Sequence, residues 1–111
     1  MAEFLKQRKE VIAVRYPGLS TDPSYETASR QMRYFGPVVS FSLPSRVQAE
    51  RFLQKSALLY EATSFGGIHT TAERRARWGG DDVSDGFIRL SLGCEDVNDL
   101  IEDFAQALES V

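Results

Sequence analysis

Hydrophobic positions along the chain change period several times, and each change marks the edge of a predicted element. Near the C-terminal end, residues 86–92 read GFIRLSL, with Ile88, Leu90 and Leu92 on one side of an alternation and Phe87, Arg89 and Ser91 on the other. Successive side chains of a strand project to opposite faces, so this pattern predicts a strand with one apolar side. PVVSFSLP at 37–44 alternates likewise, setting Val39, Phe41 and Leu43 against Ser40 and Ser42 before Pro44 stops it. VIAVRY at 11–16 predicts a short strand ended by Pro17 and Gly18, and ALLYEATS at 57–64 predicts another.

Helical periods fill the intervals. Val97, Leu100, Ile101, Phe104 and Leu108 recur at helical spacing behind Asp96, a natural N-cap. Ser45 and Gln48 form a capping-box pattern for a helix running to about Lys55. Asp22, Pro23 and Gly36 punctuate a helix whose apolar side is Tyr25, Ala28, Met32 and Phe35. MAEFLKQRKE at 1–10 has good helix formers, no breaker and no cap before it, as if the helix were entered part-way along. FGGIHTTAERRARWGGDD at 65–82 keeps no period and is expected to be irregular, with one helical turn around Glu73 to Arg77. Helices alternating with short strands, without a repeat or linker, predict a single two-layer α/β sandwich over residues 1–111.

Composition narrows the classes. A chain of 111 residues suits one hydrophobic core, and 42% hydrophobic with 11% aromatic residues is a folded composition. The net charge of −3 weighs against a nucleic-acid surface, although Arg74, Arg75 and Arg77 cluster. No apolar run approaches the roughly 20 residues of a membrane helix, and no basic start leads into a signal-peptide core. A soluble cytoplasmic protein is therefore expected. Cys94 is the only cysteine, which excludes an internal disulfide and a cysteine-based metal site, and metal-ligand spacing is absent.

Few residues suggest chemistry. His69 is the only histidine; a general base needs a nucleophile or an orienting partner, so a hydrogen-bonding loop histidine is expected. Cys94, between a strand and a helix start, could have an activated thiolate, but a semi-buried structural role is expected. ERRARW at 73–78 reads as a solvated charged face more readily than as an anion patch. Gly66 and Gly67 follow Ser64 and permit close backbone approach to a ligand, yet no helix follows to make a nucleotide fingerprint. Arg89 carries a planar fork suited to the carboxylate of an amino or keto acid. By itself, an arginine in a strand also fits a plain solvent-facing position.

Four stretches in order carry a resemblance: VRYPGL at 14–19, ASRQMRYFGPVVSF at 28–41, ATSFGGIHT at 62–70 and SDGFIRLSLGCEDVNDLIEDFAQAL at 84–108. Across nearly its whole length the chain resembles the C-terminal domain of the Cys/Met-metabolism family of pyridoxal-phosphate enzymes. That family includes cystathionine gamma-synthase, cystathionine gamma-lyase, cystathionine beta-lyase and methionine gamma-lyase. The resemblance implies the small domain of a fold-type I enzyme, an α+β sandwich of a short mixed or antiparallel sheet covered by helices. It further implies that Arg89 binds the α-carboxylate of a sulfur amino-acid substrate. Ser64 would lie beside the active site and help place the substrate and the catalytic lysine, while Thr63 occupies a position that separates reaction types. Ser91 and Phe87 would share the face of Arg89 toward the cofactor domain.

The sequence departs from the family pattern twice. His69 stands where the family usually has glutamate, and HTTAERRARWGGDDV lacks the longer connection with its Met-Thr-His stretch, which suggests a shorter-loop subgroup. The lysines are only Lys6, Lys9 and Lys55, on predicted amphipathic helices and without the family's Ser/Thr-rich context. Pyridoxal phosphate, its Schiff-base lysine and its phosphate cradle are thus expected on a preceding N-terminal domain of the intact enzyme, itself commonly a homotetramer. No catalytic or cofactor-binding residue is expected in this chain, which would be inactive alone, as part of a carbon–sulfur lyase or synthase. The alternative is a stand-alone module binding a small amino acid or a protein partner. The uncapped first helix suggests a cut, and the face bearing Phe87 and Val38 is expected to be apolar enough to need a partner.

Overall fold

A computed structural model describes residues 1–111 as a five-stranded sheet with three of its four helices packed on one face. The strands are β1 (Ala13–Arg15), β2 (Val38–Ser42), β3 (Tyr60–Glu61), β4 (Thr71–Arg74) and β5 (Phe87–Ser91); the helices are α1 (Ala2–Lys6), α2 (Tyr25–Gln31), α3 (Arg46–Lys55) and α4 (Val97–Glu109). The order across the sheet is β1-β2-β5-β4-β3, antiparallel except for β3 beside β4. No helix is long and apolar enough to cross a membrane.

The alternating strands build the core as their pattern dictates. Val39 and Phe41 of β2 lie opposite Leu90 and Ile88 of β5, and all four are buried. Helices α1, α3 and α4 close over this face with Leu5, Ala49, Phe52, Phe104 and Leu108. Phe52 meets Phe41 and Phe104 edge-on, with ring centroids 5.4 Å and 5.3 Å away, the arrangement that the aromatic quadrupole favours. Both well-capped helices begin where expected: Ser45 accepts from the backbone of Gln48, and Asp96 from Asn98 and Asp99.

Several elements differ from their sequence expectation, each for a local reason. The first helix ends at Lys6, and β1 keeps only Ala13–Arg15 of the expected six residues. Asp22 does not cap α2. Its carboxylate accepts from the backbone N–H of Tyr16 and of Ser24 at 2.9 Å each and from Arg15 at 3.0 Å, so it ties the turn back to β1 and the helix starts after Ser24. Met32 is already extended, and Phe35 lies beyond the helix against Tyr16 and Tyr25. ALLYEATS contributes only the two residues of β3. The stretch expected to be irregular instead contains β4, followed by a 3-10 turn over Arg75–Trp78.

Candidate functional site

The sheet face opposite the helices carries the polar side of β5. Register places Ser40, Arg89 and Glu73 in one row across β2, β5 and β4. Val38 and Phe87 flank this row and are half-buried, so the face is mixed rather than the apolar surface the sequence suggested. Two connections fold over it. The loop after β3 brings Thr63 and Phe65 to Arg89, and the 3-10 turn brings Arg75 and Trp78 to Glu73.

Arg89 is fixed on three sides. Its Nη2 donates to the carbonyl of Thr63 and, at 3.4 Å, to Glu73 Oε2; its Cζ lies 4.7 Å from the centroid of the Phe65 ring. Such stacking suits a guanidinium, which is planar and weakly hydrated. Its Nε and Nη1 make no hydrogen bond within the chain, and 22% of the side chain is exposed. The fork thus retains unpaired donors.

Glu73 escaped the sequence reading, which left it in a solvated cluster. Its side chain is only 1% exposed, and it accepts from the Trp78 indole on Oε1 and from Arg75 Nη1 on Oε2 at 2.8 Å. Burial by itself would raise its carboxyl, but the Trp78 and Arg75 hydrogen bonds, with the charges of Arg75 and Arg89, hold it below the ordinary value. Arg75 also reaches Asp81 at 2.7 Å. Asp81, Arg75, Glu73 and Arg89 therefore form a series of alternating charge that ends on a cation. The rest of ERRARW is likewise paired: Arg74 is buried with Glu50 at 3.5 Å, and Arg77 meets Glu61 at 2.7 Å.

The glycine loop is anchored to β5. Ser91 Oγ accepts from the Gly66 N–H at 2.7 Å, and Gly66 adopts φ 81°, a conformation that glycine takes readily. Thr70, fully buried, donates from its N–H and its hydroxyl to Glu95 at 2.8 Å and 2.7 Å, and Cys94 N–H donates to the Ile68 carbonyl at 2.8 Å. Burial opposes ionisation of Glu95, but the Thr70 hydrogen bonds and the charge of His69 hold its carboxyl low.

Of the residues singled out in sequence, Arg89 and Thr63 meet, the latter through its backbone carbonyl. Ser64 lies next along the same loop, where its carbonyl accepts from Thr71 Oγ1 at 2.9 Å, and its hydroxyl has no partner within the chain. His69 makes no side-chain hydrogen bond, contrary to expectation; it is exposed and stacks edge-on with Tyr60 at 5.6 Å. Cys94 is exposed rather than semi-buried. No lysine stands near Arg89. Lys6 donates to Thr21 at 2.8 Å, Lys9 is exposed past the end of α1, and Lys55 closes α3 on the other side of the sheet.

The family model described as Cys/Met metabolism PLP-dependent enzyme matches residues 1–109. A Streptomyces coelicolor protein assigned as a cystathionine gamma-lyase is 57% identical over 98% of this chain and 28% of its own length. Cystathionine gamma-synthase of Mycobacterium tuberculosis is 40% identical over 97% of the chain and 30% of its length. The crystal structure of metB from Corynebacterium glutamicum superposes with a TM-score of 0.91 at 35% identity, covering 97% of this chain and 30% of that one. O-acetylhomoserine sulfhydrylase of Wolinella succinogenes superposes with a TM-score of 0.88 at 32% identity over 96% of this chain and 31% of that one. The chain thus spans about three-tenths of the length of these relatives.

Proposed function

The chain belongs to the Cys/Met metabolism family of pyridoxal-phosphate-dependent enzymes, and from that premise we propose that it is the C-terminal, substrate-carboxylate-binding domain of a carbon–sulfur lyase or synthase. Its reaction is of the cystathionine gamma-lyase or gamma-synthase type. The observation that carries the reading is Arg89: an arginine at the cationic end of an alternating charge series, on the sheet face away from the core, with Nε and Nη1 unpartnered. A carboxylate placed there would complete the alternation through charge-assisted hydrogen bonds. Ser64, beside Arg89 on the loop that Ser91 anchors, would contribute secondary positioning, and Thr63 would hold Arg89 through its carbonyl.

The chain's own residues do not fit a pyridoxal-phosphate site, because none of its lysines approaches this face. The Schiff-base lysine and phosphate cradle fall to an N-terminal domain of the same cytoplasmic enzyme, a homotetramer in this reading. This domain's part is to bind and orient substrate.

The test is Arg89→Ala in the intact enzyme. Removing the only guanidinium directed at the carboxylate should raise the KM for the amino-acid substrate about 100-fold while leaving cofactor occupancy, read from its visible absorbance, unchanged. An unchanged KM would remove Arg89 from substrate binding and this reading with it.

A further inference from the structure

We propose that Glu73 is the positioning residue for Arg89: it sets the orientation of the guanidinium before substrate arrives, and Trp78 and Arg75 hold Glu73 in place for that task. The inference rests on the carboxylate-binding reading of Arg89 and deepens it.

Register supplies the first argument. Glu73 is the direct cross-strand neighbour of Arg89, so both side chains rise from the same face of the sheet at adjacent points. A glutamate there is costly unless it is satisfied, since the side chain is 1% exposed. It is satisfied by side chains alone: the Trp78 indole on one oxygen, Arg75 and Arg89 on the other. Those donors come from two separate parts of the chain, which makes the carboxylate a junction between β5 and the 3-10 turn.

Unequal distances supply the second. Arg75 lies 2.8 Å from Glu73 Oε2, Arg89 3.4 Å. The nearer arginine takes the larger share of the carboxylate's charge. Arg89 is steered without being neutralised, and its positive charge remains available to an incoming anion. Had Glu73 paired with Arg89 alone, it would compete with substrate. Arg75, itself tied to Asp81 at 2.7 Å, prevents this.

Geometry supplies the third. Thr63 and Glu73 both engage Nη2, while Phe65 lies against Cζ. These contacts define the plane of the guanidinium and the direction of its free edge. Without Glu73, only a loop carbonyl and an exposed ring would remain to define it, and a long arginine side chain would have more rotamers to lose on binding.

The experiment is steady-state kinetics of the intact enzyme carrying Glu73→Gln, with Arg89→Ala in parallel. Glutamine keeps the shape and one acceptor but loses the charge. The expected result is a KM about tenfold higher, kcat within about twofold of wild type, unchanged cofactor absorbance, and partial recovery in Glu73→Asp. If Glu73→Gln does not fold, Trp78→Phe removes only the indole donor and should raise KM about threefold by the same route. A wild-type KM in the folded glutamate variants, or in Trp78→Phe, alongside a raised KM in Arg89→Ala, would overturn the positioning role and leave the carboxylate reading intact. A wild-type KM in Arg89→Ala would overturn both.

Discussion

On one side of β5, Ile88 and Leu90 are fully buried beneath α3 and α4; on the other, Arg89 and Ser91 are held by Glu73, Thr63, Phe65 and Gly66. The same five residues face two solvents, one made of hydrocarbon and one made of directed polar groups. The apolar side is specified by volume, and any neighbour of the right size serves it. The polar side is specified by partners: Ser91 is bonded to the Gly66 N–H, and Arg89 to Thr63 and Glu73. A strand can therefore contribute most of its stabilising energy from one face and place its chemistry on the other.

The sharpest way to break this division is to insert bulk where β5 begins. A Cβ on Gly86 would sit 1.9 Å from the Leu43 carbonyl oxygen, so Gly86→Ala must push two backbones apart and should cost about 3 kcal/mol in urea unfolding. Next comes the core face: Leu90→Ala should cost about 3 kcal/mol as well, with the exact loss set by how far α3 and α4 relax into the cavity. Asp103 is intermediate. Its buried carboxylate accepts from the backbone N–H groups of Ala57 and Leu58 at 2.9–3.0 Å, and Asp103→Ala should cost about 2 kcal/mol by leaving them unpaired. Arg89→Ala should cost about 1 kcal/mol or less in the same assay, despite its expected effect on substrate binding.

Acid tests the polar contacts without mutation. Glu73, Glu95 and Asp22 all titrate below their ordinary values. A depressed carboxyl contributes stability that is complete above its unfolded value and is lost as pH falls through the folded one. Chemical-denaturant midpoints should hold from neutral pH down to near 4.5, the ordinary glutamate value, and then decline. Protection of the Thr70 amide against exchange, taken relative to its intrinsic rate at each pH, should fall over that range before protection at Ile88 or Leu90, because its acceptor Glu95 is protonated there.

Periodicity made the apolar face legible. β2, α3, β5 and α4 all lie close to where their spacing and caps put them, because each is stabilised by contacts that repeat along its own sequence. β4 was not legible. Thr71, Ala72, Glu73 and Arg74 contain a single aliphatic residue and two adjacent charges, and the strand exists because Glu50, Trp78, Arg75 and Arg89 satisfy those charges from elsewhere. A lone glutamate beginning a run of three arginines and a tryptophan was the available signal, since such a cluster suits a buried carboxylate as well as a wet surface. Arg89 was visible as a candidate from its strand, but its orientation was not, being set by residues 26 and 16 positions upstream.

Trp78 is the only tryptophan in the chain, and its indole N–H is bonded to Glu73 beneath Arg89. The chain's red-edge ultraviolet emission therefore originates at a single ring bonded to the charge series, with Arg77 stacked 4.9 Å from that ring. The molecule has a spectroscopic window on the face proposed to bind substrate. Excitation of that ring should report a shift in Glu73 as a change in emission, without a label or an engineered probe.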